Sequence, residues 1–343
     1  MLYFAGKGEE RFQKEWTELK WGKVEFLEFP NKEQRVRLLS PVKDELCVVV
    51  QGMAYEPDKD WVRAMLLADA LRENGARGVK LIAPFLSYAL MNRHFEGEPI
   101  SVRVVAKTLS QFFDEVEVWE VHEEGIAEFF EVPFYNRSIL WEMAGMIATS
   151  PKAPARGPWR DDQSQSASAG FLTERRVASD QAGVSLNREK FSVKRSVTLK
   201  IGEKEMKSLD VVVAPDKGSV VRARQVAREW GVDLVLGSKE RNLVSTEIKS
   251  LKVNGNVKGK RVVIVDDLVN TGGTIVRTAE LLRSQGAKEI GLMVAHWLPV
   301  EGNWERVSQV VDWVITSNSV VNKLDKEREK LKIISIKSHL KES

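Results

Sequence analysis

At 343 residues the chain exceeds one ordinary compact domain, and two domains of about 150 residues each are the default expectation. Apolar residues make up 43% and charged residues 29%, a globular composition with material for two cores. A net charge of +3 and a pI near 8.7, without a basic stripe, exclude a nucleic-acid binder on charge grounds. The one cysteine, Cys47, lies in an apolar run, so a buried thiol is expected and no intrachain disulfide or cysteine metal cluster can form. The N-terminus has no long apolar core and no stretch nears the ~20 apolar residues of a membrane span, so a cytoplasmic protein without membrane partners is expected.

In chain order, residues 46–51 (LCVVVQ) form a continuous apolar run, as in a buried parallel strand. Residues 60–74 place Val62, Met65, Leu66, Ala68 and Leu71 on a helical face that closes at Gly75. A strand at 79–84, a helix at 100–113 and a strand at 116–121 follow. This alternation predicts α/β architecture with a mostly parallel sheet. From 148 to about 195 the chain turns rich in Pro, Ser, Ala and Gly, a low-complexity insertion expected to be flexible. Patterning resumes with strands at 209–214, 233–236, 261–266 and 289–295 and helices at 219–230 and 274–284. The expected division is therefore 1–147, an insertion at 148–200, and 201–343.

Residues 262–274, VVIVDDLVNTGGT, carry the densest chemistry. A buried strand ends in two carboxylates, and a turn with two glycines flanked by threonines opens into a helix. Open α/β sheets bind ligands at the carboxyl ends of their strands. Gly272 and Gly273 let backbone N–H groups approach an anion, the helix N-terminus favours negative charge, and Thr271 and Thr274 add hydroxyls. Asp266 and Asp267 suit ribose hydroxyls or a hydrated Mg²⁺. A diol-binding acid pair beside a phosphate loop fits ribose 5-phosphate as a unit.

This segment resembles the phosphoribosyl-diphosphate signature of type I phosphoribosyltransferases and ribose-phosphate pyrophosphokinases. Gln51–Gly52, DKDWVRAMLLADALRENGARGVKLIAPFLSYALMNR, VWEVHEEGIAEFFEVP, VVVAPDKGSVVRA and GAKEIGLMVAHWLP resemble the pyrophosphokinases in order and spacing. The resemblance implies two tandem phosphoribosyltransferase-like domains, each a mostly parallel sheet flanked by helices. It also implies transfer of the diphosphoryl group of MgATP to the 1-hydroxyl of ribose 5-phosphate, with AMP as the other product. By the same resemblance His122 and Asp216 belong to the metal–ATP site, and Lys239 and Arg241 are the catalytic pair, set in a flexible loop. Asp266, Asp267, Asn270, Thr271, Gly272, Gly273 and Thr274 hold ribose 5-phosphate. Phe29, Asn31, Glu33, Arg93 and His94 serve ATP, with Phe29 and Glu33 supplied by a neighbouring subunit of a homo-oligomer.

The chain departs from the family pattern on the nucleotide side. Phe29-Pro30-Asn31-Lys32-Glu33 stands where the family reads Phe-x-Asp-Gly-Glu, and Leu90-Met91-Asn92-Arg93-His94 stands for Arg-Gln-Asp-Arg-Lys. Asn270 replaces an aspartate, and Arg63 occupies an acid's place. A non-catalytic regulatory homologue and a phosphoribosyltransferase remain alternatives at the level of sequence.

Overall fold

The computed structural model describes residues 1–148, 199–201, 204–206, 209–241, 248–320 and 329–337. The first half runs β1 (Leu2–Ala5), α1 (Arg11–Glu15), β2 (Val24–Glu28), β3 (Gln34–Leu38), β4 (Leu46–Val50), α2 (Pro57–Glu73), β5 (Gly78–Ala83), α3 (Ser101–Phe112), β6 (Glu115–Trp119), a 3-10 turn at Glu124–Phe129, β7 (Phe134–Arg137) and α4 (Ile139–Ile147). The second runs β8 (Leu199–Ile201), β9 (Lys204–Met206), β10 (Val211–Ala214), α5 (Val220–Trp230), β11 (Asp233–Arg241), β12 (Ile248–Asn254), β13 (Arg261–Val269), α6 (Gly273–Ser284), β14 (Glu289–Trp297), α7 (Asn303–Val310), β15 (Trp313–Ser317) and β16 (Leu331–Ile334).

Among the described residues, β1-β4-β5-β6-β7 form a parallel sheet. The order β12-β11-β10-β13-β14-β15-β16 forms a second, parallel except at β11–β12. The continuous apolar runs at 46–50 and 262–265 lie in interior strands of these sheets, covered on both faces as such runs require. Leu67, Leu71, Val102 and Leu109 of α2 and α3 pack on one face of the first sheet, and Ile275, Leu282 and Val307 of α6 and α7 on one face of the second. The remaining faces meet each other. A single cluster joins Phe12, Trp16 and Trp119 to Leu140, Met143 and Ile147 of α4, and on to Val212, Trp230, Val263 and Met293 of the second half. Trp230 Nε1–H donates to the Ala144 carbonyl at 3.0 Å across α4 and α5. Trp16, Trp119, Trp230 and Trp297 are fully buried, which fits packing rather than base stacking. No helix of the described residues is long and apolar enough to cross a membrane.

Several boundaries differ from the sequence reading, and those around the crevice matter most. β13 continues past the acid pair to Val269 because its pairing with β14 runs as far as Val269 opposite Trp297. Its pairing with β10 covers only Val262 to Ile264, so beyond that point one edge of β13 faces a crevice. β10 stops at Ala214, and the next residue, Pro215, has no N–H with which to extend a ladder. β11 runs on to Arg241, and the segment after it, expected to be a flexible loop, forms β12 antiparallel to it. Val253 of β12 is buried, and β12 lies against α6. α6 begins one residue earlier than expected, at Gly273. The low-complexity insertion lies almost wholly outside the described residues.

Candidate functional site

The crevice beside β13 is a cleft of about 300 Å³ lined by Asp216, Asp266, Asp267, the whole run from Leu268 to Ile275, His122 and Leu90. It therefore unites Asp266, Asp267, Asn270, Thr271, Gly272, Gly273 and Thr274 with both residues expected at the metal, His122 and Asp216.

The loop from Asn270 to Gly273 is held from outside. Asn303 Nδ2–H donates to the Asn270 carbonyl at 2.8 Å, and Asn303 Oδ1 accepts from Trp297 Nε1–H at 3.0 Å. Arg306 Nη2–H donates to the Thr271 carbonyl at 2.9 Å. Gly272 adopts φ +83°, and a Cβ there would lie 2.6 Å from Val307 Cγ2, so glycine is required on both counts. Gly272, the residue before α6, carries no side chain to cap the helix, and the N-terminus of α6 lines the cleft, where its dipole favours an anion.

Asp267 is buried, yet its carboxyl lies below the ordinary range. Burial pushes it up, but His122 Nδ1–H, donating to Oδ2 at 2.6 Å, and the Arg222 guanidinium together outweigh burial. Asp266 is raised well above the ordinary value, chiefly by burial and then by repulsion from Asp267 and Asp216. The acid pair is thus split, one charge held firmly and one held back. Asp216 also organises the start of α5, its Oδ1 accepting from the N–H groups of Gly218 at 3.1 Å and Ser219 at 3.3 Å.

The nucleotide-side residues are not gathered at this cleft. Phe29, Asn31 and Glu33 sit exposed at the tip of the β2–β3 hairpin, with Phe29 39% exposed. Lys32, at the family's glycine, takes φ +73°. Arg63 braces the tip end of the hairpin from α2, donating to Gln34 Oε1 at 2.8 Å and pairing with Asp60 at 3.1 Å. Arg93 lines a neighbouring cleft of about 440 Å³ with His122, Glu123 and Gly125, and lies 3.7 Å from Glu123. His94 is exposed. Leu90 stands on the wall of the first cleft, so an apolar side chain occupies the place of a family arginine. Lys239 and Arg241 belong to a paired strand, opposite Leu251 and Ile248, not to a loop; their side chains lie outside the described residues.

Sequence reading assigned no function to Arg222, Glu120 or His296. Arg222 is 8% exposed and its guanidinium spans the two halves of the molecule. His296 is buried against the Trp119 and Glu120 carbonyls, to which its Nε2–H donates at 3.1 and 3.3 Å. The contacts these residues make between the two halves join positions 100 or more apart in sequence, beyond the reach of any local pattern.

A mostly parallel sheet with an acid pair and glycine turn at its carboxyl edge defines the phosphoribosyltransferase class. Residues 193–323 match the model of the phosphoribosyl transferase domain, and residues 3–112 match the N-terminal domain of ribose phosphate pyrophosphokinase. The chain is 32% identical to the ribose-phosphate pyrophosphokinase of Pyrococcus furiosus, over 88% of each chain. It is also 32% identical to that of Thermococcus kodakarensis, over 93% of this chain and 94% of the relative. The fold matches the crystal structure of phosphoribosylpyrophosphate synthetase from Mycobacterium smegmatis with a TM-score of 0.72 at 24% identity, over 97% of this chain and 94% of that one. The chain belongs to the ribose-phosphate pyrophosphokinase family of diphosphotransferases.

Proposed function

We propose that the chain transfers the diphosphoryl group of ATP to the 1-hydroxyl of ribose 5-phosphate, giving phosphoribosyl diphosphate and AMP. The observation that carries this reading is the split acid pair of β13 facing the uncapped N-terminus of α6 within one cleft. The 5-phosphate rests on the N–H groups and hydroxyls from Thr271 to Thr274, and the ribose diol on Asp266 and Asp267. The 1-hydroxyl oxygen then attacks the β-phosphorus. The bond from that phosphorus to the bridging oxygen breaks, AMP leaves with the electron pair, and the hydroxyl proton is released. Lys239 and Arg241 neutralise charge on the transferring group, the main task of protein side chains in phosphoryl transfer.

The residues present fit magnesium. Asp216, Asp266 and Asp267 are hard oxygen donors whose mutual repulsion a cation relieves, and His122 stands beside them. Among the described residues no group of three or more such side chains could hold a metal by itself, so a magnesium ion here would draw further ligands from water and substrate phosphates. Held there, magnesium would supply positive charge to offset that of the phosphates. A homo-oligomer whose neighbouring subunit supplies Phe29 and Glu33 accounts for the distance of the hairpin tip from the first cleft's lining.

The test is incubation with Mg²⁺, ATP and ribose 5-phosphate and detection of AMP. Turnover is expected, falling at least a hundredfold in Lys239→Ala or Arg241→Ala, on the scale of a lost transition-state charge contact. Binding of ribose 5-phosphate without AMP formation would instead support the regulatory homologue, which the apolar Leu90 and Lys32 favour.

A further inference from the structure

We infer that Arg222 and Glu120 are positioning residues that hold His122 against Asp267 across the seam between the two halves; this rests on the proposed reaction. Arg222 projects from α5 in the second half. Its Nε–H donates to Glu120 Oε1 at 3.2 Å, Nη1–H to its own Gly218 carbonyl at 2.8 Å, and Nη2–H to the Val121 carbonyl at 2.7 Å and to the His122 carbonyl. Three of these acceptors belong to the three residues that follow β6 in the first half. The guanidinium therefore fixes the backbone from which the His122 side chain departs, and that side chain then meets Asp267 at 2.6 Å.

Glu120 is the other jaw. It is 4% exposed, and its backbone takes φ +45°, a conformation costly for a side chain of its size. Its second oxygen accepts from Leu140 N–H at 3.0 Å and Ser138 O–H at 3.3 Å, at the start of α4. One carboxylate thus ties the helix α4 to α5, and the buried pair has each polar group satisfied. Lysine cannot replace Arg222, because a single ammonium cannot reach acceptors spread over Gly218, Glu120 and His122 in a planar fork. Neither residue lines the ribose cleft; both line the neighbouring cleft with His122, and Arg222 also stands 3.9 Å from Asp267 Oδ2, so the pair acts on the contact between His122 and Asp267 from both sides.

The test uses the full chain and measures kcat, KM for ribose 5-phosphate and calorimetric binding of that sugar with Mg²⁺. Arg222→Lys and Arg222→Met are expected to lower kcat tenfold or more while KM and sugar affinity stay within about threefold. The same Arg222→Met change made in His122→Ala is expected to lower the residual kcat by less than twofold, because the group it positions is already gone. Glu120→Gln, which keeps the shape of the jaw, covers the case in which Arg222→Met does not fold, with an expected kcat loss of severalfold. Full additivity of Arg222→Met with His122→Ala overturns the inference, as does an unchanged kcat in Arg222→Lys. Absence of AMP formation by the wild type overturns the proposed reaction itself, a result separate from either.

Discussion

His296 lies wholly inside the protein at the end of β14, with Ser319 Oγ 2.7 Å from Nδ1 and the Trp119 and Glu120 carbonyls at Nε2. Burial lowers its pKa to about 4, so the neutral ring is the folded form. Below the ordinary histidine value the unfolded chain takes up a proton that the folded one refuses. The stability this residue confers is therefore present above about pH 6.5 and lost as pH falls toward 4. Glu9 works in the opposite sense, since burial raises it to about 7 and the folded form gains as pH falls below that. Comparing the wild type with His296→Gln isolates the first effect. The wild type's advantage in unfolding free energy should shrink by on the order of 3 kcal/mol between about pH 7 and about pH 4, measured in urea. The two aspartates of β13 should also respond unequally. Asp266→Asn resembles the proton-rich state that burial already favours, and is expected to cost under about 1 kcal/mol. Asp267→Asn strands His122 and Arg222 and is expected to cost about 2 kcal/mol. Urea midpoints of the two variants decide this.

At the scale of elements, the turn between β13 and α6 rests on one residue whose side chain must be a hydrogen atom. Gly272→Ala adds both a left-handed penalty and a contact with Val307, together about 2–4 kcal/mol, and should lower the melting temperature and weaken ribose 5-phosphate binding at least tenfold. This motif was fully legible in the sequence, because strand, acids, glycines and helix follow one another without interruption. The central strands and α2, α3, α5 and α6 were legible for the same reason: their burial is continuous or periodic over a short span. The β2–β3 hairpin was not, since its residues alternate between exposed and half-buried and carry charge at Glu25, Arg35 and Arg37. β12 escaped because a bulge at Glu240 and Arg241 breaks the alternation against its partner. The supports of the Asn270–Gly273 loop, Asn303 and Arg306, come from a helix 33 to 35 residues further on and act through backbone carbonyls, which leave no trace in side-chain pattern.

At the scale of the molecule, the inner faces of both sheets share one apolar cluster with α1, α4 and α5 between them. Neither half can expose its share without stranding the other's. Calorimetry of the intact chain is expected to give a single cooperative transition, and Trp230→Ala, which empties a fully buried site between α4 and α5, should destabilise it by about 3–5 kcal/mol without splitting that transition. Two separate transitions would show that the halves fold independently.

The early halt of β10 has a consequence of its own. A proline at position 215 works like a missing tooth in a zipper: the two tracks stay apart beyond it, and the gap opens into the cleft. Restoring the tooth with Pro215→Val offers β10 the chance to run on beside β13 and seal the opening. The chain would gain a few backbone bonds and lose its grip on ribose 5-phosphate, so that a sturdier protein and an empty one would be the same molecule.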